Sequence, residues 1–155
     1  TNQVAESYSN AAMEWGTENE PFARAAYEVK TGNTVDQVSA IDHPRIAMSA
    51  ASPDGLIGDD GCLEIKCPNT ATHIDTILGD EPAKKYYDQM QWQMACTDRK
   101  WCDFVSFDPR MPSHLQLFVK RIERNDDYIE QLEKEVVQFL MEVEDKVKKL
   151  NEIKV

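Results

Sequence analysis

The chain has 155 residues, of which 41% are hydrophobic and 29% charged, so it can fold as one domain with a substantial core. Its formal net charge of −11 means that the average surface repels nucleic acid and anionic membranes. A polyanionic partner would therefore need a local basic patch or a bound metal ion. The sequence has no run of 18 apolar residues and begins with polar residues, so we expect a cytoplasmic protein without a membrane anchor or a secretion signal.

The first half of the chain predicts one helix followed by a meander of short strands. The helix should run from about Ala11 to Thr31 and end at Gly32. Pro21 predicts that this helix begins or kinks near that residue. Strand-like runs separated by turns follow at 34–40, 46–51, 56–57 and 62–67.

The second half predicts helices and strands in alternation. Thr70 is expected to cap a short helix that ends at Gly79. The further segments are a helix at 81–96, strands at 101–107 and 114–122, and a last helix from 125 or 126. The last helix has an apolar stripe, which is typical of a core or a subunit contact. This order predicts a single α/β domain over residues 1–155, with a mixed sheet flanked by helices.

Four cysteines are present, and none of them has C-x-x-C spacing; they are Cys62, Cys67, Cys96 and Cys102. This pattern favours free thiols over disulfides, a structural zinc or an iron–sulfur cluster. Free cysteines often pack as small hydrophobic residues, so we expect these four to be buried.

One hairpin carries the strongest chemical signal. Glu64 and Lys66 are two residues apart in a predicted strand, so their side chains share one face. Leu63 and Ile65 then point to the opposite, apolar face. The hairpin can return Asp54 to the same point as Glu64. Two converging carboxylates raise each other's pKa unless a cation lies between them, and oxygen ligands suit Mg²⁺ or Mn²⁺.

Lys66 has a natural role beside such a metal ion. It could orient an attacking water and offset negative charge on a phosphoryl oxygen, which indicates hydrolysis of a phosphodiester. The same residues are also compatible with a turn aspartate and an exposed Glu64–Lys66 ion pair that do no chemistry. The residues alone leave both interpretations open.

A wider set of motifs favours the catalytic interpretation. Pro53-Asp54 followed by Glu64-x-Lys66 matches the PD-(D/E)xK nuclease signature. From about Ala12 to Leu150 the chain resembles the lambda exonuclease and YqaJ-type viral recombinase nucleases. The motifs that carry this resemblance, in order, are Trp15-Gly16-x-x-x-Glu20, Ser52-Pro53-Asp54-Gly55, Leu63-Glu64-Ile65-Lys66-Cys67-Pro68, Tyr86-x-x-Gln89 and Asp108-Pro109-Arg110-Met111. The resemblance implies a restriction-endonuclease-like core.

The resemblance also implies roles for individual residues at a metal site. Asp54 and Glu64 would bind metal together with the backbone carbonyl of Ile65. Glu20 would join them from the first helix. Lys66 would be the catalytic lysine.

Other implied roles lie on the following helix and around it. Gln89 would help to hold the nucleophilic water or the scissile strand, and it shares a helix face with Tyr86 and Gln93. We expect Tyr86 and Arg110 to contact DNA. The candidate phosphate contacts are Lys84, Lys85, Arg99, Lys100 and Arg110.

The activity implied by the resemblance is digestion of the 5′-terminated strand of linear double-stranded DNA. This 5′ to 3′ exonuclease would use two Mg²⁺ ions, with Mn²⁺ as a substitute, and leave 3′ overhangs for phage-type recombination. The implied partners are DNA ends, a single-strand annealing recombinase and further copies of the chain in a homotrimer. A phage or prophage origin in a bacterial host follows from the same resemblance.

The resemblance implies a segment before the Trp-Gly helix that grips the terminal 5′ phosphate, and we expect this segment to be absent here. We therefore expect either a fragment or altered recognition of DNA ends. Two other functions share the motifs: a nuclease-fold adaptor for the annealing protein, and a PD-(D/E)xK endonuclease that cuts closed circles. The presence of Asp54, Glu64 and Lys66 argues against the adaptor.

Overall fold

The computed structural model describes residues 10–153 and contains four α-helices and six strands among them. The helices are α1 (Ala11–Thr31), α2 (Thr70–Gly79), α3 (Lys84–Thr97) and α4 (Asp126–Asn151), with a 3-10 turn at Ser113–Leu115. The strands are β1 (Ile41–Asp42), β2 (Ala50–Ala51), β3 (Gly55–Ile57), β4 (Gly61–Lys66), β5 (Trp101–Phe107) and β6 (Leu117–Glu123).

The main sheet has the strand order β3-β4-β5-β6 and is mixed, as predicted. β3 and β4 form an antiparallel hairpin, and β6 is antiparallel to β5. β4 and β5 are parallel, with Lys66 opposite Ser106. Parallel neighbours need a crossover connection, which α2 and α3 provide. β1 and β2 form a separate two-stranded sheet.

Helices cover both faces of the main sheet. On one face, Ala23 and Tyr27 of α1 pack against a buried apolar layer that includes Leu63, Ile65, Val105 and Phe107. On the other face, Met90 and Met94 of α3 pack against Cys62, Cys102 and Phe104. The alternation of side chains along β4 and β5 supplies both layers at once. This arrangement confirms the predicted α/β fold with a sheet between helices.

α1 confirms the predicted helix and runs through Pro21, so the alternative that the helix begins near this residue is wrong. The helix begins at Ala11, where Asn10 is the N-cap and accepts a hydrogen bond from the Met13 backbone, and it ends at Gly32 with a φ of 73°. Pro21 lies in the interior of the helix and is exposed. The carbonyl that loses its partner belongs to Thr17, which is also exposed, so water can satisfy it.

Two of the predicted strands are wrong in extent. The run at 34–40 contributes only the bridge between Asp36 and Leu56, and the run at 46–51 contributes only β2. Between β1 and β2 the chain bends at 43–48, where Pro44 has no N–H to donate and Met48 has a φ of 63°. Backbone in that left-handed region cannot continue a strand.

Several helix and strand boundaries also differ from the predicted ones. The N-cap of α2 is Asn69, which accepts from the Thr72 backbone, while the hydroxyl of Thr70 donates to Asp108. α3 begins at Lys84, after Pro82, and the predicted strand at 114–122 begins only at Leu117 because Ser113–Leu115 is a 3-10 turn. α4 begins at Asp126 behind the N-cap Asn125, as predicted.

All four cysteines are free, as predicted. Three of them are buried, while Cys67 is half-buried. No helix within residues 10–153 is both long and apolar enough to cross a membrane.

Candidate active site

A cleft of about 1000 Å³ opens between the start of α1, the end of β4 and the N-terminal ends of α2 and α3. Every residue that the sequence assigned to the site lines this cleft: Glu20, Asp54, Glu64, Ile65, Lys66, Tyr86, Gln89 and Arg110. The β3–β4 hairpin contributes the two acidic residues of the cleft floor, Asp54 and Glu64. From more distant parts of the chain, α1 contributes Glu20, α3 contributes Tyr86 and Gln89, and the turn after β5 contributes Arg110.

β4 places its catalytic candidates by strict alternation. Leu63 and Ile65 are buried in the layer under α1. Glu64 and Lys66 therefore point to the other face, where Glu64 meets Gln93 of α3. The predicted division of this strand into an apolar face and a face that carries Glu64 and Lys66 is confirmed.

Asp54 is fixed to the backbone of β4. Its N–H donates to the Leu63 carbonyl at 3.0 Å, and its Oδ2 accepts from the Ile65 N–H at 2.7 Å. The next residue, Gly55, lies so close to Val35 that a Cβ at this position would clash with the valine side chain. These contacts return Asp54 to the same point as Glu64, as the hairpin pattern predicted.

The electrostatics of Asp54 show how strongly negative the cleft floor is. Burial and, after it, the negative charges of Glu64 and Glu20 together raise the pKa of Asp54 to about 7. The hydrogen bond from Ile65 and the charge of Lys66 act in the opposite direction but do not compensate. A bound cation would remove the repulsion among these carboxylates.

Lys66 forms an ion pair with Glu64, its Nζ lying 2.5 Å from Glu64 Oε1. Burial on its own would lower the pKa of Lys66, but the contact with Glu64 and the charge of Asp54 outweigh burial and raise the pKa above its ordinary value. The ammonium also lies over the Tyr86 ring, 5.0 Å from the centroid. Lys66 is therefore held as a cation at the cleft floor.

Glu64 provides the test of whether this site fits a metal ion. Its side chain is only 1% exposed, and its Oε2 accepts from Gln93 Nε2 at 2.6 Å. Its Oε1 is buried and, among the residues that the structure describes, has the ammonium of Lys66 as its partner. A buried carboxylate oxygen needs a donor or a cation, and a metal ion could share or take the position that the ammonium occupies. Asp54 and Glu64 thus fit a hard divalent cation.

The number of protein ligands is small. Over residues 10–153, no group of three His, Cys, Asp or Glu side chains is close enough together to hold a metal ion. Mg²⁺ accepts such sites, because it binds through one or two carboxylates and keeps several waters. An ion at Asp54 and Glu64 would therefore retain open positions for a phosphate oxygen and for water.

Glu20 lies in the cleft but is paired with another residue. Arg24, one helical turn further along α1, forms an ion pair with Glu20 and donates to the Asp54 carbonyl at 3.4 Å. Arg24 occupies Glu20 Oε1, so Glu20 could bind a metal ion through its other carboxylate oxygen or by giving up this partner. Its predicted role as a metal ligand remains a prediction.

The helix residues of the site differ in their surroundings. Gln89 is exposed and lines the cleft. Tyr86 stacks on Phe104 and carries Lys66 and Lys85 over its ring. Gln93 was predicted to share a helix face with Tyr86 and Gln89. Its side chain is buried and contacts Glu64.

Only two of the five candidate phosphate contacts line the cleft: Lys85 and Arg110. Arg110 lies 4.3 Å above the Trp15 ring and forms an ion pair with Asp108. Hydrogen bonds from Arg110 and Thr70 outweigh the effect of burial and lower the pKa of Asp108 to about 2. This buried carboxylate fixes the guanidinium at the rim of the cleft.

The other three candidate phosphate contacts lie outside the cleft and have partners there. Lys84 pairs with Asp88, Lys100 pairs with Asp60, and Arg99 donates to the Gly58 carbonyl. Because these three residues do not line the cleft, their predicted contact with phosphate stays a prediction.

Sequence reasoning missed two contacts in the site. The contact of Gln93 with Glu64 leaves no clear signal in the sequence. It becomes visible only when the structure shows that Gln93, one helical turn beyond Gln89, is buried. The pairing of Arg24 with Glu20 follows a common i, i+4 pattern, which was present in the sequence and was not used.

The comparisons with known proteins agree with this geometry. Residues 1–100 match the model of the YqaJ-like viral recombinase domain. The crystal structure of an alkaline exonuclease from Laribacter hongkongensis is 56% identical, with a TM-score of 0.91 over 93% of this chain and 74% of that one. A second structure of that exonuclease, in complex with dAMP, has a TM-score of 0.92, covering 94% of this chain and 74% of that one.

A more distant structure, a phage-related exonuclease from Haemophilus somnus 129PT, shares the fold. It is 20% identical, with a TM-score of 0.71 over 90% of this chain and 77% of that one. No curated protein matches the chain. The family model spans well over half of the chain, so the chain belongs to the YqaJ-like viral recombinase family.

Proposed function

We propose that this protein is a magnesium-dependent exonuclease that degrades linear double-stranded DNA in the 5′ to 3′ direction and leaves 3′ overhangs. The observation that carries the proposal is the meeting of Asp54, Glu64 and Lys66 on the floor of one cleft. Family membership and the 56% identity to an alkaline exonuclease support exonuclease activity in phage-type DNA recombination. The direction of digestion follows from the resemblance of the motifs to the lambda exonuclease group.

The residues of the cleft divide the work of phosphodiester hydrolysis. Asp54 and Glu64 would bind Mg²⁺, or Mn²⁺ in its place, and the metal would supply Lewis-acid activation of a water molecule. Lys66, held as a cation, would orient that water and offset negative charge on the phosphoryl group. Glu20 would bring a third carboxylate, which is enough for a pair of metal ions.

Gln89 and the cations at the rim would position the DNA. Gln89 is exposed at the cleft and has both a donor and an acceptor for the water or the scissile strand. Lys85 and Arg110 would bind phosphates on either side of the scissile bond. The rest of the surface, with its excess of acidic residues, would stay away from the duplex.

The proposal includes two partners. Digestion that leaves 3′ overhangs would supply a single-strand annealing recombinase, and the chain would act as a homotrimer. The exposed apolar side chains of α4, among them Phe139, Val143 and Leu150, offer surface for contact with other chains. Sedimentation equilibrium on the purified protein should give three times the monomer mass, and a monomer at all concentrations would reject the trimer.

The test uses linear duplex DNA labelled at one 5′ or one 3′ end, with covalently closed circular DNA and Glu64→Ala as controls. We expect magnesium-dependent release of the 5′ label, intact circles and no activity in the variant. Cleavage of circles would instead indicate an endonuclease. Absence of magnesium-dependent cleavage of any substrate would contradict the proposal and favour an adaptor without catalysis.

A further inference from the structure

Among residues 10–153, Gln93 is the one neutral side chain that binds a carboxylate of the cleft floor from the protein interior. It is 1% exposed, and its Nε2 donates to Glu64 Oε2 at 2.6 Å. It reaches Glu64 from α3, on the side of the sheet opposite to α1. No role for this residue follows from the family motifs, in which Gln89 is the matching glutamine.

The amide of Gln93 is itself held in one orientation. The thiol of Cys102, in β5, lies 3.8 Å from Gln93 Oε1 and can donate to it. This contact directs the oxygen toward β5 and the NH₂ group toward Glu64. Burial between α3 and the sheet leaves the side chain little freedom to turn.

The two oxygens of Glu64 therefore have different environments. Oε2 accepts from the neutral amide of Gln93, while the partner of Oε1, among the described residues, is the ammonium of Lys66 at the cleft floor. An amide satisfies one oxygen without cancelling the negative charge that attracts a cation. A cationic donor in its place would compete with the metal ion.

We propose that Gln93 is a positioning residue that orients Glu64 so that Oε1 faces the metal ion. This inference rests on the proposed function, because it assigns Gln93 a task at the same metal site. Residues that hydrogen-bond to metal ligands fix the ligand's orientation, and their loss costs about 10- to 100-fold in metal affinity or activity. Gln93 would act through Glu64 and would not touch the DNA.

The chain offers a matched control on the same helix. Gln91 is also fully buried, but its amide binds the Glu123 carbonyl and the Asn125 N–H, away from the cleft. Gln93→Met and Gln91→Met each remove a buried amide and replace it with a side chain of similar length. Both variants should unfold at a lower temperature than the wild-type protein.

The decisive measurement is the affinity of the DNA-free protein for Mn²⁺, determined by titration calorimetry. We expect Gln93→Met to bind Mn²⁺ about 10- to 100-fold more weakly and to need a correspondingly higher Mg²⁺ concentration for half-maximal cleavage. Gln91→Met should keep the wild-type affinity. Equal affinities in the two variants, with normal binding by the wild-type protein, would overturn the inference and leave the proposed function intact.

A measurement on the wild-type protein covers the case in which Gln93→Met does not fold. In a nitrogen-15 NMR spectrum, the side-chain amide signals of Gln93 should shift during a Mg²⁺ titration, while those of Gln91 stay in place. If the Ile65 backbone amide shifts and the Gln93 side chain does not, the inference is wrong. If the protein binds neither Mn²⁺ nor Mg²⁺, both the inference and the metal-dependent function fall.

Discussion

Glu64 and Lys66 share one face of β4 but should contribute to different steps. Lys66→Ala removes the cation beside the reacting phosphate, so we expect turnover of linear duplex DNA to fall about 100- to 1000-fold. Mn²⁺ affinity should be retained or increased, because Lys66 Nζ no longer occupies Glu64 Oε1. Steady-state kinetics and calorimetry on the same preparation measure both quantities.

Glu64→Ala is the comparison for Lys66→Ala. It removes a proposed metal ligand together with the partner of Gln93, so both metal affinity and turnover should be lost. Equal residual activity in the two variants would contradict the separate roles assigned to these residues.

The raised pKa of Asp54 predicts how the metal-free protein responds to pH. The pKa is about 7 in the folded chain against an ordinary value of 3.8, so the folded state binds more protons between these values. Stability should therefore fall as the pH rises from about 4 to 7. Asp54→Asn removes this titration, and we expect the variant to be more stable than the wild-type protein at pH 8 in the presence of EDTA.

Thermal unfolding at pH 5.5 and pH 8 tests this expectation. Each kcal/mol of stabilisation should raise the unfolding midpoint by about 2–4 °C in a chain of this size. Mg²⁺ should raise the midpoint of the wild-type protein more at pH 8 than at pH 5.5. Asp60→Asn, at an exposed aspartate that pairs with Lys100, is the control. Parallel pH profiles for all three proteins would contradict the assignment.

Among the elements, α4 is joined to the bend at 43–48 by a buried histidine. His43 Nδ1 accepts from the N–H groups of Arg45 and Ile46, so Nε2 carries the proton and donates to Glu133 of α4 at 2.9 Å. The His43 ring also stacks on Trp92 of α3. This contact joins the bend at 43–48 to two helices.

Glu133→Ala should therefore destabilise the protein by about 1–3 kcal/mol, because it leaves a buried donor of His43 without an acceptor. Glu130→Ala removes only an exposed ion pair with Lys134 on the same helix and should cost less than about 0.5 kcal/mol. Urea denaturation of the three proteins measures the difference. Similar losses in both variants would show that His43 does not depend on Glu133.

The elements also show how far the sequence determines the fold. The long helices were predictable because apolar periodicity and capping residues such as Asn125 act locally. The catalytic face of β4 was predictable because alternation along a strand needs no knowledge of its neighbours. The segment 34–51 was not predictable, because its shape depends on the left-handed Met48 and on the anchoring of His43 to α4.

The candidate site was also predictable only in part. Asp54, Glu64 and Lys66 belong to one hairpin, so local geometry was enough to bring them together. The contact between Gln93 and Glu64 joins residues 29 positions apart across the α2–α3 crossover. Such a pairing follows from the packing of α3 on the sheet, which the periodicity of either segment does not specify.

For the whole molecule, the net charge of −11 makes DNA binding depend on a few local cations. Lys85 is one of the cations that line the cleft, so Lys85→Ala should weaken binding to all duplex sequences alike. It should also reduce the slope of log affinity against log salt concentration by about 1. Binding can be measured by fluorescence anisotropy with Ca²⁺ in place of Mg²⁺ to prevent cleavage.

Lys100→Ala is the matched control for this measurement. Lys100 is as exposed as many surface lysines but pairs with Asp60 outside the cleft. Its loss should leave the salt dependence unchanged. An equal change of slope in both variants would indicate that DNA binds by overall charge and not in the cleft.

The alternation of β4 also restricts how this protein can evolve. Inserting one residue between Cys62 and Glu64 would turn both catalytic side chains toward α1, where the layer is apolar. Inserting two residues would keep the face but move the carboxylate about 6.6 Å along the strand, away from Asp54. Insertions and deletions that preserve activity should therefore occur in the turn at 58–60, and β4 should keep a constant length.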